Sequence, residues 1–344
     1  MPAKIRIGVI APSSQVPPVE CMMGVEQLEA DGFSVKLHSQ VRKSHAFFAG
    51  SDELRAQAFY DYAVDPSLPV LWCARGGYGS LRILPLLEKL VAERGLPERK
   101  LLVGLSDPTA LMDYVRSRWG WSTLYGPMPG TRTFSRLTAT ERSTMLAWIR
   151  GENTKMPWGK KPLKFVGSRP RKAITAPVVG GTLAIWASLM GTPYEPQPRE
   201  KILFFEDIGE SLYRLDRMLA QIWLSGGLKG VKAIVLGNFE GCSDAPPTGL
   251  AGMPANVRAR AKVLESPRPA DLAPLRPRMD ADKAIPKIVK EFAEKLGIPV
   301  AYGLPVGHGP GHASLPLGAQ FRLGTDGSFE LQQWDWLDEA PVLG

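Results

Sequence analysis

The stretch Leu101-Leu102-Val103-Gly104-Leu105-Ser106-Asp107-Pro108-Thr109-Ala110-Leu111 predicts a sharp turn from a buried strand into a helix. The apolar run ends at a small polar residue, and Pro108 stands where the first helical turn would begin. Such a turn places the Ser106 hydroxyl at the carboxyl edge of a sheet, beside helix amides that have no partner within the helix. Ser106 is therefore a candidate nucleophile, although serine at this position is also a common helix cap.

Apolar runs and helical patterns alternate along the first half of the chain. Predicted strands lie at 5–11, 34–37, 70–73 and 101–105, and predicted helices lie at 19–31, 51–64, 80–94 and 108–119. This alternation favours a parallel sheet covered by helices on both faces. Ligands collect outside the carboxyl ends of strands in such sheets, so we expect site loops at residues 11–14, 74–80 and 106–107.

The composition changes between residues 151 and 175, where Lys, Pro, Gly and Arg replace apolar periodicity. We predict a linker there, which joins an amino-terminal α/β domain (1–150) to a carboxy-terminal mixed α/β domain (176–344). A long stretch rich in Pro, Arg and Ala, at 243–283, interrupts the second domain. We expect this irregular excursion to form part of a lid or a dimer contact, with a short basic helix at 257–265.

The bulk properties exclude several classes of protein. A chain of 344 residues with 44% hydrophobic content is long enough for two globular domains. The formal charge of +8 is spread through loops without a nucleic-acid recognition motif, so we expect no nucleic-acid partner. The first residues lack the pattern of a signal peptide and no window is apolar enough for a membrane span, which predicts a cytoplasmic protein. Three widely spaced cysteines predict no metal site.

A serine nucleophile needs a base, and the chain has only four histidines. His308 lies between two glycines in a loop after an apolar strand, which gives the imidazole room to approach a partner. Glu206 ends the apolar strand 201–205, where a carboxylate could fix the imidazole tautomer. The alternatives are an ordinary turn histidine bonded to backbone and a carboxylate that serves as a cap or an ion-pair partner.

The glycine-rich turn Arg75-Gly76-Gly77-Tyr78-Gly79 follows another predicted strand. It is too short for a phosphate-binding P-loop and lacks the lysine of that motif. The backbone amides of Gly77 and of Asp107, which follows the candidate nucleophile, could instead donate to a developing oxyanion. Arg75 could pair with a substrate carboxylate or brace the loop.

Taken together, these segments resemble the LD-carboxypeptidase family of serine peptidases, which also contains the microcin C immunity peptidases. The motifs that carry the resemblance occur in order along nearly the whole chain, at 7–14, 48–53, 72–79, 104–107, 126–128, 180–181, 191–194, 205–210, 213–219, 307–309 and 315–318. The resemblance implies a catalytic triad of Ser106, His308 and Glu206 between two domains, with a nucleophile elbow in the amino-terminal one. It also implies release of a terminal D-alanine from murein tetrapeptides during cell-wall recycling, no metal or organic cofactor, and a homodimer.

The chain departs from the family pattern at two positions near the expected cleft. Tyr125 replaces the histidine that often precedes the Gly-Pro pair, and Thr182 replaces the common asparagine after the Gly-Gly pair. Both are candidate substrate-binding residues, together with Arg75. An immunity-type peptidase that cleaves peptidyl or acyl-sulfamoyl adenylates and an inactive binding protein stay open as alternatives. An amidotransferase is disfavoured because the elbow carries serine, where that chemistry uses cysteine.

Overall fold

The computed structural model describes residues 4–152, 156, 158–159, 161–243, 281–309 and 311–339. The predicted excursion at 243–283, with its helix at 257–265, lies almost entirely outside the described residues. Within the described ranges, no helix combines the length and the apolar character that a membrane span needs.

The first sheet has six strands in the order β11-β5-β4-β3-β1-β2. Its strands are β1 (Arg6–Ile10), β2 (Ser34–Leu37), β3 (Val70–Cys73), β4 (Leu101–Gly104), β5 (Ser122–Tyr125) and β11 (Leu315–Leu317). The first five pair in parallel, which confirms the parallel sheet predicted from the alternating pattern. The central strands β3 and β4 are buried at every residue because helices cover both faces of the sheet.

Four helices of this half follow the predicted segments closely, namely α1 (Pro18–Ala30), α2 (Asp52–Ala63), α3 (Ser80–Arg94) and α4 (Thr109–Trp119). Three helical segments were not predicted, a 3-10 turn (Ser39–Arg42), α5 (Arg132–Ser135) and α6 (Ala139–Ile149). Local sequence fixes their ends: Ser51 accepts a hydrogen bond from the Leu54 amide at the start of α2, and Thr138 and Glu141 form a capping box at the start of α6.

The second sheet has seven strands in the order β13-β12-β7-β8-β9-β10-β6. They are β6 (Lys164–Val166), β7 (Ile174–Thr182), β8 (Ile202–Ile208), β9 (Ala233–Glu240), β10 (Val300–Tyr302), β12 (Gln320–Leu323) and β13 (Phe329–Gln333). Strands β7 to β10 are parallel and the outer strands are antiparallel, so the sheet is mixed, in agreement with the predicted mixed α/β domain. Within the described ranges four further helices accompany it, α7 (Leu183–Leu189), α8 (Leu212–Leu224), α9 (Ala281–Glu294) and α10 (Asp335–Glu339).

Two features differ from the predicted organisation. The stretch 151–175 contains β6 and the start of β7, so part of the predicted linker is an edge strand, paired with β10. Strand β11 comes from the second half of the chain but pairs antiparallel with β5 of the first sheet, with Leu315 opposite Tyr125. Because β11 follows the His308 loop by a few residues, this pairing holds that loop beside the first sheet.

A continuous apolar core joins the two halves. It contains Trp72 from the first sheet together with Phe204 and Phe321 from the second, and all three side chains are fully buried. A second, smaller core lies between the second sheet and helices α7, α8 and α9. Each buried aromatic side chain contributes roughly 1.5–3 kcal/mol of transfer free energy, so the shared core holds the facing strand ends in a fixed relation.

Candidate active site

The turn between β4 and α4 (residues 104–109, hereafter the elbow) has a strained backbone at Ser106. The φ angle of this non-glycine residue is 72°, in the left-handed region. Such a conformation costs on the order of 1–3 kcal/mol and persists only where surrounding contacts enforce it. Here the Ser106 carbonyl accepts a hydrogen bond from the Thr109 amide at 2.8 Å, and the Ser106 N–H donates to the Tyr125 hydroxyl at 3.2 Å.

The Asp107 side chain fastens the elbow to two neighbouring loops. Its buried carboxylate accepts hydrogen bonds from the amides of Ser80 at 2.8 Å and Gly79 at 3.1 Å, and from the Ser13 hydroxyl at 2.5 Å. The Ser80 hydroxyl also donates to the Asp107 carbonyl, at 2.5 Å. The carboxylate thereby caps the start of α3 and ties the elbow to the loop after β1.

The glycine-rich turn lies against the elbow. A Cβ atom at Gly76 would stand 2.9 Å from the Ser106 Cβ, so only glycine leaves room for the serine here. Neither the Gly77 nor the Asp107 backbone N–H has an acceptor within the described part of the chain, and Gly77 lines the cavity described below. Asp107 is not among the lining residues. Arg75 does line the cavity, and its guanidinium donates to the Gln15 carbonyl at 2.7 Å.

The second half of the chain contributes a carboxylate and a histidine that are hydrogen-bonded to each other. Glu206 lies in β8 with no exposed surface, and its Oε2 atom is 2.8 Å from His308 Nδ1. The same oxygen accepts the backbone N–H of His308 at 3.0 Å. Gly307 makes this approach possible, because its φ angle is 122° and a Cβ there would stand 2.5 Å from Oε2.

The other Glu206 oxygen, Oε1, accepts two hydroxyl groups. The Tyr125 and Thr182 hydroxyls both donate to it at 2.7 Å, and the two hydroxyl oxygens are 2.9 Å apart. Both side chains are buried, and neither residue lines the cavity. The structure therefore places these two predicted substrate-binding residues behind the carboxylate.

These contacts govern the ionisation of the site. Burial opposes the charge of Glu206, but the hydrogen bond and charge of His308, with the bonds from Tyr125 and Thr182, hold the pKa of Glu206 below its ordinary value. Burial likewise acts to lower the pKa of His308, yet the hydrogen bond to Glu206 and the negative charge of Glu206 raise that pKa above 6.5. Burial and the neighbouring carboxylate raise the pKa of Tyr125 well above 10, so its phenol stays protonated.

Ser106 and His308 face one cavity of about 230 Å³. Its walls are built from Arg75, Gly76, Gly77, Leu105, Ser106, Pro127, Met128, Thr131, Thr133, Gly307 and His308. Within the described residues no hydrogen bond joins the Ser106 hydroxyl to the imidazole, a contact that in many enzymes tightens only when substrate binds. The described residues also offer no cluster of three or more His, Cys, Asp or Glu side chains that could hold a metal ion.

Sequence reasoning missed the residues that support the elbow. Ser13 and Ser80 hold Asp107, and the fully buried Arg55 side chain donates to the carbonyls of Gly79 and Pro12 and pairs with Asp52. Ser13 lies at a strand end that was expected to form a site loop, so its position was a usable signal. Arg55 lies within α2, and nothing in its local sequence indicates burial.

A serine in a strained elbow and a histidine bonded to a buried carboxylate, on one cavity of an α/β fold, are typical of serine hydrolases. Comparison with known proteins agrees with this class. The model of the LD-carboxypeptidase N-terminal domain matches residues 7–126, and the model of its C-terminal domain matches 175–273 and 265–323. The chain therefore belongs to the LD-carboxypeptidase family of serine carboxypeptidases.

Individual relatives cover most of the chain. A putative carboxypeptidase of Streptomyces coelicolor is 34% identical over 69% of this chain and 76% of its own length. The murein tetrapeptide carboxypeptidase of Pseudomonas aeruginosa is 27% identical over 91% of both chains. The crystal structure of muramoyltetrapeptide carboxypeptidase from Oxalobacter formigenes superposes with a TM-score of 0.69 and 28% identity, covering 95% of this chain and 97% of that chain. The microcin C7 self-immunity protein of Escherichia coli is 24% identical over 63% of this chain and 70% of its own length.

Proposed function

We propose that this protein is an LD-carboxypeptidase that releases the terminal D-alanine from murein tetrapeptides, with Ser106, His308 and Glu206 as its catalytic triad. The observation that carries the proposal is the 2.8 Å contact between Glu206 and His308, on the same cavity as the strained Ser106. The relatives named for murein peptides supply the substrate class.

The proposed mechanism follows from the hydrogen bonds around His308. Because the Glu206 carboxylate can only accept, His308 Nδ1 carries the hydrogen between them and Nε2 keeps a free lone pair. Nε2 takes the Ser106 proton as the hydroxyl attacks the scissile carbonyl, and the Gly77 and Asp107 amides stabilise the oxyanion. His308 then protonates the leaving amine of D-alanine, and water hydrolyses the acyl-enzyme by the same route.

Arg75 is the proposed recognition group for the terminal carboxylate of the substrate. A carboxypeptidase must distinguish a chain end from an internal bond, and Arg75 brings a cation to the cavity wall. Within the described residues no Asp or Glu forms an ion pair with it. Arg75→Met should raise KM for the tetrapeptide by about 10–100-fold with a smaller effect on kcat, as expected for loss of a charge-assisted hydrogen bond.

The test of the function is release of D-alanine from L-Ala-γ-D-Glu-meso-diaminopimelate-D-Ala, followed by mass spectrometry. We expect release by the wild type and none above background by Ser106→Ala. Ser188→Ala is the matched control, because the Ser188 hydroxyl lies in α7 and, among the residues that the structure describes, bonds only to the Ala184 carbonyl. Release that is equal in Ser106→Ala and the wild type would exclude Ser106 as the nucleophile.

The relative named as a microcin C7 self-immunity protein supports a second candidate, hydrolysis of peptidyl or acyl-sulfamoyl adenylates. Both activities use the same triad and differ in the group that leaves. A panel of peptidyl-nucleotide analogues beside murein peptides separates them: a kcat/KM at least 100-fold higher for the nucleotide conjugates would favour the second candidate.

Recycling of murein peptides would place the enzyme in the cytoplasm, and the family resemblance favours a homodimer. Light scattering after size-exclusion chromatography tests the assembly. A mass twice that of the 37.6 kDa chain is the expected result.

A further inference from the structure

The Glu206 carboxylate receives four hydrogen bonds and has no exposed surface. Oε2 accepts the Nδ1–H and the backbone N–H of His308, and Oε1 accepts the hydroxyls of Tyr125 and Thr182. A carboxylate has about four lone-pair positions, so these four donors satisfy it completely without water. Removing any one of them leaves a buried, charged oxygen short of a donor.

The ionised Glu206 carboxylate can only accept hydrogen bonds, so both hydroxyls donate to Oε1. The Tyr125 oxygen already accepts the Ser106 N–H at 3.2 Å, so the phenol hydrogen is free to point at the carboxylate. Thr182 has one hydroxyl hydrogen, which also points there. Tyr125 therefore links the nucleophile backbone to the carboxylate through a single atom.

Strand register puts both hydroxyls in place. Tyr125 ends β5 and pairs with Gly104 at the start of the elbow, while Thr182 ends β7 and pairs with Glu206 itself. The Thr182 amide also donates to Thr109 Oγ1 at 3.2 Å, across the junction between the two halves. Thr182 thus reaches Glu206 from the neighbouring strand of the same sheet, whereas Tyr125 reaches it from the other sheet.

We propose that Tyr125 and Thr182 are positioning residues that set the proton affinity of the Glu206–His308 pair and do not touch the substrate. This inference rests on the proposed function for its catalytic meaning. Its physical content concerns only the free protein, because both hydroxyls contact the carboxylate and neither residue lines the cavity.

The direction of the effect follows from charge. A donated O–H stabilises the carboxylate most when the pair carries its full negative charge, before the pair binds a proton. Loss of a hydroxyl must therefore make the pair bind that proton more tightly, whichever of the two groups holds it. The apparent pKa of the pair should rise, and catalysis by neutral His308 should then require a higher pH.

Other charged groups also face the Glu206–His308 pair, and the same groups are present in every variant of the test. Asp207, next along β8, is buried and acts to raise the pKa of His308. Glu240 ends β9, and its Oε2 would stand 3.1 Å from a Cβ at Gly309. Arg75 shares the cavity with His308. Substitution at 125 or 182 leaves all three in place.

The experiment is an NMR titration of the His308 ring Cε1–Hε1 signal in the full chain without substrate. Only four histidines contribute, and His308→Gln assigns the signal. We expect the midpoint to rise by about one pH unit in Tyr125→Phe and in Thr182→Val, the size of shift that a charged hydrogen bond supports. Thr182→Ser, which keeps the hydroxyl, should titrate like the wild type. Tyr194→Phe is the control, because it removes a tyrosine–glutamate bond of 3.0 Å to Glu88, two residues that do not line the cavity.

A midpoint unchanged in both Tyr125→Phe and Thr182→Val would overturn the proposal. So would a shift in Thr182→Ser as large as that in Thr182→Val. A substrate-binding role predicts a different pattern, a raised KM with an unmoved titration. Because the titration needs no turnover, failure of the proposed carboxypeptidase activity leaves this result readable and separate.

Discussion

The elbow and the histidine loop (residues 303–309) reach the same cavity by different means. The elbow is built from contiguous residues, with a strained Ser106 held by the Asp107 carboxylate and by backbone bonds. The histidine loop depends on residues far apart in sequence, since His308 bonds to Glu206 and Glu206 to Tyr125 and Thr182. In the elbow the strained backbone of Ser106 sets the position of the proposed nucleophile, with the Asp107 side chain holding the turn in place, whereas in the histidine loop a chain of side-chain hydrogen bonds positions the proposed base.

Glu206→Gln should have the largest effect, because it disrupts the hydrogen bonds that hold the histidine loop. The amide is uncharged, and its NH2 group cannot accept the hydrogen bonds that the carboxylate receives. We expect kcat to fall by about 10⁴-fold, the scale seen when the carboxylate of a triad becomes an amide. The D-alanine assay measures this, with Glu88→Gln as the control because Glu88 also accepts a tyrosine hydroxyl. A loss below tenfold would contradict the assignment of Glu206.

Gly307→Ala tests how closely the histidine loop must approach the Glu206 carboxylate. The new Cβ would stand 2.5 Å from Glu206 Oε2, at a φ of 122°, and should push His308 out of line. We expect kcat to fall by about 10²-fold or more, as for a displacement near 1 Å. Gly303→Ala, at a φ of 95° with open space around it, carries backbone strain without the collision. Equal losses in the two variants would show that strain alone explains the effect.

Asp107→Asn should disrupt the elbow, and it should lower the stability of the fold more than it lowers kcat. Asparagine offers one accepting oxygen where the carboxylate accepts from Ser80, Gly79 and Ser13. We expect the free energy of unfolding to drop by about 2–3 kcal/mol, measured by urea denaturation. Asp326→Asn removes a carboxylate that also accepts a backbone amide but lies at the surface, and it should leave the urea midpoint nearly unchanged. Equal midpoints for the two variants would contradict the tethering role.

The smallest expected effect is on the pH dependence of the wild-type kcat/KM, which reports on the histidine loop alone. In the proposed mechanism His308 must be neutral to accept the Ser106 proton, and Glu206 raises the pKa of His308 above 6.5. We therefore expect kcat/KM to fall about tenfold per pH unit below that pKa. In Glu206→Gln the carboxylate that most strongly opposes the effect of burial is lost and only Asp207 still acts to raise the pKa of His308, so the acid limb of the residual activity should move to lower pH. A wild-type profile that is flat down to pH 6 would contradict the account.

The sequence predicts these two regions unequally, for a physical reason. The elbow is visible locally, because an apolar run followed by Ser106 and Pro108 dictates a strand, a turn and a helix. The distance between Glu206 and His308 depends on how two strand ends meet, and no local pattern encodes that meeting. The residue types and their places at strand ends made Glu206 and His308 candidate partners, and the family resemblance joined them with Ser106 in one triad.

Other contacts escaped prediction for related reasons. Strand β11 is three residues long, too short for a periodic signal, although it fixes the histidine loop against β5. Tyr125 and Thr182 stood out as departures from the family pattern, but their contact with Glu206 requires the register of two strand pairs. Asp107 was expected to act through its amide, and its side-chain role depends on α3 beginning beside it.

The most direct test of the account is a double-mutant comparison of Ser106→Ala, His308→Gln and the variant that carries both. If the two regions form one catalytic unit, each single substitution should reduce kcat for D-alanine release by a similar factor, about 10⁴ to 10⁶. The double variant should then be no slower than the slower single variant. Losses that multiply in the double variant would show that the elbow and the histidine loop act independently, and would contradict the account.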